Sequence, residues 1–157
     1  MLKAYLFCFF VSMVPLIELR GAVPIALGMD LPVLPAYIVC ILGNMLPVPI
    51  IYFFARKVLI WGADKRYIGG FFTYCLEKGE RGGRKLTERA GRDGLFLALM
   101  LFVGIPIPGT GAWTGTLAAS FLNMGIRATA LSVSLGVIMA GIIMGIASTG
   151  VFSIIGI

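Results

Sequence analysis

The chain contains no histidine, so the commonest metal ligand and the commonest general base are both missing. Its three cysteines (Cys8, Cys40 and Cys75) are not spaced as metal ligands, and we expect Cys8 and Cys40 to be small core residues. The sequence has neither a pair of catalytic aspartates nor a serine–lysine arrangement. These absences argue against an enzyme, and we predict no catalytic residue, no metal and no cofactor.

Charged residues are also scarce. They make up 13% of the 157 residues, and 59% are hydrophobic. Soluble domains are about 25% charged. A membrane-spanning helix needs about 20 mainly apolar residues, and the apolar runs cover roughly residues 1–17, 21–55, 94–126 and 128–157. The chain is therefore predicted to be one integral membrane domain, of the multi-pass type found in the prokaryotic inner or plasma membrane.

The net charge of +6 is concentrated in one stretch, because ten of the thirteen Lys and Arg residues lie within residues 56–92. Basic residues beside spans mark the cytoplasmic side and attract anionic lipid head groups. Binding in a nucleic-acid groove would need a folded soluble module around these residues, and we predict no nucleic-acid partner. The simplest interpretation is that this basic stretch keeps its side of the protein in the cytoplasm, as a positive-inside anchor, and binds no ligand.

Two Pro/Gly-rich segments interrupt the apolar runs, at residues 15–28 and 105–118. With an offset of 90 positions, the Gly-Ala pair at 21–22 falls on the Gly-Ala pair at 111–112. Broken hydrophobic segments at matching places in two halves indicate a transporter-type binding site. We therefore predict an all-α integral membrane protein with two inverted repeats, each a re-entrant helical hairpin followed by a transmembrane helix.

The first repeat is predicted at about residues 1–57. A hairpin over residues 2–30 is followed by a span over residues 35–54, which Pro47 and Pro49 should kink because each lacks an N–H group. No small-x-small cleavage site follows the N-terminal apolar run, so we expect that run to stay in the mature fold.

The linker is predicted at about residues 58–93. Its first part, residues 58–74, has the composition of an amphipathic interfacial helix broken at Gly69-Gly70. Residues 77–92 alternate charges with glycine and are predicted to form a solvated cytoplasmic loop.

The second repeat, at about residues 94–157, should contain a hairpin over residues 94–124 and a span over residues 126–148. With the linker in the cytoplasm, the first hairpin enters from outside, the second enters from the cytoplasm, and both termini face outside. If residues 1–30 cross the membrane instead, the N-terminus lies inside.

The first interrupted segment carries Glu18 and Arg20, and Asp30 follows it. A charged side chain at the bilayer centre costs about 2.5–3.5 kcal/mol on insertion scales, so such residues usually have a partner or a substrate. Arg20 could bind a phosphate bidentately, and Glu18 could be a proton site. The alternative is a structural ion pair that fixes the hairpin tip.

The second interrupted segment offers the Thr110 and Thr114 hydroxyls, the Trp113 N–H and backbone groups that proline and glycine leave free. A helix that begins near Gly111 would direct its N–H groups to the midplane, where they favour an anion. The alternative is close helix packing through glycine. The predicted substrate-binding residues are Glu18, Arg20, Gly21, Pro24, Pro108, Gly109, Thr110, Gly111 and Thr114, and the predicted ion-coupling residues are Glu18 and Asp30.

The motifs ELRGAVP at 18–24 and PIPGTG at 106–111 resemble those of the small multidrug export protein family, which is related to the DedA/VTT membrane superfamily. The resemblance implies two re-entrant hairpins that meet in the membrane and movement of lipid carriers such as undecaprenyl phosphate, coupled to an ion gradient. It also implies acidic residues at the positions of Glu18 and Asp30. Where the superfamily has two arginines around Ile-Pro-Gly, this chain has Ile105 and Gly111, so Arg20 would have to replace them.

The predicted function is a transporter or flippase that moves an amphipathic anion, a polyprenyl-phosphate lipid carrier, coupled to protons or sodium. Two alternatives stay open. One is an exporter of small cationic drugs with Glu18 as the binding carboxylate, and the other is a membrane scaffold without transport activity. The expected partners are membrane lipids and a second copy of the chain, because two-fold homo-oligomers are the commonest assemblies.

Overall fold

The computed structural model describes residues 1–107 and 109–155, and within those ranges the regular elements are all helices, as the sequence predicts. Two helical stretches are long and apolar enough to cross a membrane by length and composition, Val33–Ala63 and Ile126–Ser148. The seven helices are α1 (Leu2–Met13), α2 (Glu18–Gly28), α3 (Val33–Met45), α4 (Pro47–Ala63), α5 (Gly69–Gly104), α6 (Ala112–Phe121) and α7 (Ile126–Ile155).

The first long stretch consists of α3 and α4, which are separated at Leu46 directly before Pro47. The break lies where a proline was expected to disturb the helix, because proline cannot donate the next backbone hydrogen bond. The predicted end at residues 54–57 is wrong, since α4 continues to Ala63. Lysine and arginine are good helix formers, so Arg56 and Lys57 do not stop the helix.

The first interrupted segment is more regular than predicted. Only residues 14–17 lie outside α1 and α2 here, and Pro24 lies inside α2. The proline removes one hydrogen bond of the helix without ending it. With 12 and 11 residues, α1 and α2 are about 18 and 16 Å long, roughly half of a 30 Å hydrocarbon core.

The prediction of a loop at residues 77–92 is wrong, because residues 69–90 form the first part of α5. The axis of α5 is interrupted at Gly91, which has φ 71° and ψ 177°. This stretch carries many Glu, Lys and Arg residues, which favour helix, and it is docked on the rest of the protein. The predicted break at Gly69-Gly70 lies earlier, at residues 64–68.

The helices pack in a reciprocal scheme. In each half the first helix contacts the long helix of its own half, α1 with α3 and the 36-residue α5 with α7. The second contacts the long helix of the other half, α2 with α7 and α6 with α4. Buried apolar residues from both halves form one core, including Leu19, Val23, Val103, Val133 and Val137.

In each half, one glycine lets the long helix approach the first helix closely. A Cβ atom at Gly43 would overlap the Phe9 carbonyl oxygen of α1, and one at Gly136 would lie 2.7 Å from the Met100 carbonyl oxygen of α5. The two long helices therefore contact the preceding helices through glycine, backbone against backbone. This arrangement brings the two interrupted segments together.

Candidate functional site

The site is formed by two tips that meet between the halves. We define the first tip as residues 14–20, which include the turn between α1 and α2. We define the second tip as residues 105–107 and 109–114, at the end of α5 and the beginning of α6. Hydrogen bonds from Glu18 and Arg20 of the first tip cross to the second.

Arg20 binds the end of α5. Its Nη1 donates to the Ile107 carbonyl oxygen at 2.5 Å, and its Nη2 lies 3.0 Å from that of Val103 and 3.1 Å from that of Ile105. Nη2 also lies 2.9 Å from Thr110 Oγ1. The last carbonyl groups of a helix have no partner within the helix and carry a partial negative charge. The half-buried guanidinium donates to one of them, the carbonyl of Val103, and to the carbonyls of Ile105 and Ile107 that follow the helix.

Thr110 stabilises the same unwound segment from within. Its hydroxyl oxygen lies 3.0 Å from the Ile105 carbonyl oxygen and 2.9 Å from that of Ile107. The hydroxyl has one proton, which it can donate to either oxygen. Its backbone N–H also donates to the Ile107 carbonyl at 3.1 Å. Thr110 and Arg20 therefore share the same two carbonyl acceptors.

Glu18 binds the beginning of α6. Its carboxylate accepts the backbone N–H of Ala112 at 3.2 Å and that of Trp113 at 3.1 Å, and the residue is 6% exposed. A carboxylate at a helix N-terminus is favoured by the unpaired N–H groups and by the helix dipole. The helix end that the sequence predicts as an anion site thus holds the protein's own anion.

Gly111 makes this contact possible. A Cβ atom added there would lie 2.6 Å from the Glu18 Cδ, inside van der Waals contact. The Trp113 indole Nε1 also donates to the Met13 carbonyl oxygen at 3.1 Å, at the end of α1 and directly before the first tip. Glu18 and Arg20 therefore bind backbone groups of the second tip, in place of the ion pair considered from the sequence.

A cavity of about 310 Å³ lies between the tips. Five of the predicted site residues line it, and six of its eleven described lining residues are apolar. The lining residues are Pro15, Leu16, Glu18, Arg20, Pro106, Ile107, Gly109, Thr110, Trp113, Thr114 and Met144.

The structure places other predicted site residues away from this cavity. Gly21 faces Ile17, whose Cγ2 would lie 2.6 Å from an added Cβ, and Pro24 lies further along α2. Asp30 is exposed in the turn after α2, about 18 Å from Glu18 along the chain at 1.5 Å per residue. Because α2 is a continuous helix, it carries Asp30 away from the tip. Pro108 lies outside the described residues.

Some site groups were missed from the sequence. Met144 lies on α7, and nothing in its local sequence distinguishes it from the other methionines of the chain. The acceptor carbonyls of Val103 and Ile105 had a signal, since a helix that ends before Pro106 must leave its last carbonyl groups without partners, whereas nothing local marks the carbonyl of Ile107. Among the described residues, no group of three His, Cys, Asp or Glu side chains could hold a metal ion.

A family model described as "Putative small multi-drug export protein" matches residues 18–143. The chain belongs to this family. No curated protein and no solved structure matches it. The matched range begins at Glu18 and includes the whole second tip, so the family region contains the Glu18 and Arg20 contacts of this family member.

Proposed function

We propose that this member of the small multi-drug export family is a transporter that moves a small amphipathic molecule through the cavity between the two tips. The observation that carries the proposal is the position of Glu18, which lines the cavity and also holds the N-terminus of α6. A residue with both roles can link occupancy of the cavity to the contact between the two halves.

We also propose that the halves are inverted repeats with re-entrant hairpins, in a prokaryotic cell membrane. The reciprocal packing of α2 on α7 and of α6 on α4 supports the repeat. The lengths of α1, α2 and α6, about 18, 16 and 15 Å, support helices that enter the membrane without crossing it. Irregular backbone at that depth is tolerated where it lines a cavity or is buried in protein.

Coupling would act through Glu18. A proton or a cationic substrate that neutralises the carboxylate weakens the two hydrogen bonds to α6, because charge-assisted hydrogen bonds are about twice as strong as neutral ones. The α6 end of the second tip can then move away from Glu18 and open the cavity. Arg20 keeps its carbonyl partners in either state, so it would act as the fixed part of the contact. No catalytic step is part of this proposal.

The contacts favour a neutral or cationic amphipathic substrate over a polyprenyl phosphate. Arg20 already makes hydrogen bonds to three carbonyl oxygens and to Thr110, and the α6 N-terminus already holds Glu18. A phosphate would have to displace partners at both groups. This weighs against the lipid-carrier transport implied by the resemblance to the DedA/VTT superfamily. The six apolar lining residues suit a ring or a short chain instead.

The test uses purified protein in liposomes with an imposed pH gradient. Ethidium is the cationic probe and a fluorescent polyprenyl phosphate is the anionic lipid probe. We expect gradient-dependent ethidium movement with the native protein, a loss of at least tenfold in Glu18→Gln, and native rates in Glu88→Gln, an exposed acid on α5. Exchange of the polyprenyl phosphate without ethidium movement would refute the proposal.

A homodimer and surrounding lipids complete the proposed assembly. The two candidate spans and the helices α1, α2, α5 and α6 form a thin wall around a polar site, and a second copy would cover more of it. Cross-linking in native membranes should yield a species of twice the monomer mass.

A further inference from the structure

A second cavity of about 660 Å³ lies apart from the tips, where the linker part of α5 meets the beginning of α7. Its polar residues include three arginines and one glutamate, which gives side-chain charges of +3 and −1, or a net +2. None of its residues lines the cavity between the tips. The polar and charged lining residues are Glu80, Arg84, Thr87, Arg92, Asn123 and Arg127.

In the described part of the chain, the three arginines have no partners. Within residues 1–107 and 109–155, the side chains of Arg84, Arg92 and Arg127 form neither a hydrogen bond nor an ion pair, and each residue is exposed. Glu80 lies in the same lining without pairing with them. Three guanidinium groups around one cavity repel one another, so an anion in that cavity would stabilise the arrangement.

The backbone holds this cavity open in a defined place. A Cβ atom at Gly79 would lie 2.9 Å from the Phe121 carbonyl carbon, and one at Gly83 would lie 3.1 Å from that of Leu122. The glycines therefore let α5 cross the end of α6 in backbone contact. Arg84 follows Gly83 directly, so the crossing sets the position of its side chain beside α7.

The cavity lies at one end of the second candidate span. That span begins at Ile126, and Arg127 is its second residue. The apolar lining residues are Leu95, Leu122, Met124 and Ala128. The site thus combines cationic groups near the start of a candidate span with an apolar wall formed by these four residues.

We propose that this cavity binds the phosphate group of an anionic membrane phospholipid, with the acyl chains against the apolar wall. Arginine suits phosphate because its planar group donates two parallel hydrogen bonds. Basic pockets between membrane helices on the cytoplasmic side are typical sites for acidic lipid head groups. This lipid is a bound partner of the linker, independent of the molecule transported between the tips.

The experiment measures binding to purified protein in a neutral detergent by a thermal-shift titration. The probes are dioctanoyl phosphatidylglycerol, dioctanoyl phosphatidylcholine and inorganic phosphate. The cavity variant is the triple change Arg84→Gln, Arg92→Gln and Arg127→Gln. The control removes the same charge from exposed linker residues outside the cavity, Arg66→Gln, Lys85→Gln and Arg89→Gln.

We expect phosphatidylglycerol to bind at least tenfold more tightly than phosphatidylcholine. At about fivefold per arginine, the cavity triple variant should weaken that binding about a hundredfold, and the control triple less than threefold. Equal binding of the two lipids, or equal losses in the two triple variants, would overturn the proposal. Displacement of the lipid by micromolar inorganic phosphate would overturn the lipid assignment and make free phosphate the ligand.

The three single variants keep the test usable if the triple variant does not fold. Each should weaken phosphatidylglycerol binding about fivefold while helix content by circular dichroism and elution volume stay native. Single variants with native folding and native binding would refute the site.

Discussion

The Arg20 guanidinium lies 2.9 Å from the Thr110 hydroxyl, and the two residues are 90 positions apart. Arg20 lies in the first turn of α2, and Thr110 lies two residues before α6 begins. The contact therefore joins the two halves directly, at the place where their tips meet.

The contact between Arg20 and Thr110 should give a measurable interaction energy in a double-mutant cycle. We expect the variants Arg20→Gln and Thr110→Val to be non-additive by about 1 kcal/mol in the free energy of unfolding, because they share the carbonyls of Ile105 and Ile107. Equilibrium unfolding in detergent measures the double-mutant cycle. A control cycle of Arg56→Gln with Thr110→Val should be additive, since Arg56 bonds to Asn123 instead.

Removing the Glu18 carboxylate should destabilise the protein more than removing an exposed acid. Glu18→Ala leaves the N–H groups of Ala112 and Trp113 without their acceptor, and we expect a loss of about 2 kcal/mol in the free energy of unfolding. Glu88→Ala on the surface of α5 should change it by less than about 0.5 kcal/mol. Equal values for the two variants would mean that the cap contributes nothing.

Gly111→Ala should disrupt the same contact from the other side. Its Cβ would overlap the Glu18 carboxylate, so we expect a loss of about 2 kcal/mol or more and loss of transport. Gly28→Ala is the matched control, because no atom lies within 4 Å of its added Cβ. That variant should be neutral or slightly stabilising at the end of α2. A Gly111→Ala protein with native stability would contradict the observed geometry.

Alanine substitutions at the neighbouring glycines Gly82 and Gly83 of the linker should have different effects on amide hydrogen exchange. A Cβ at Gly83 overlaps the Leu122 carbonyl, whereas one at Gly82 lies 3.5 Å from the nearest Leu122 atom, an ordinary contact. We expect Gly83→Ala to release residues 69–90 from α6 and to raise their rates of amide hydrogen exchange at least tenfold. Gly82→Ala should leave these rates unchanged or lower them, since alanine favours helix.

The candidate spans were predictable because their signal is local. The second predicted span, residues 126–148, coincides with the candidate span Ile126–Ser148, and the proline break before Pro47 follows from one missing N–H group. The position of the tips was also recognisable, since Glu18, Arg20 and Thr110 are polar residues in an apolar region. These features depend on composition over a few turns of chain.

Local sequence patterns could not predict the hydrogen-bond partners of the residues at the tips. Nothing near Glu18 indicates that it binds the N–H groups of Ala112 and Trp113, 94 and 95 positions away. The linker was misjudged as a loop for a related reason, because Gly79 and Gly83 lower helix propensity locally and are compensated by docking against α6. Asp30 was grouped with Glu18 by resemblance, although a continuous α2 separates them.

The bonds from Glu18 and Arg20 to the second tip have a consequence for biogenesis. The ribosome completes the first tip roughly 90 residues before the second, so for that interval the carboxylate and the guanidinium lack their final partners. Each such charge costs about 2.5–3.5 kcal/mol at the bilayer centre. The first hairpin should therefore wait at the interface or in the insertion machinery until α6 emerges, and insertion of the two halves becomes a single late event.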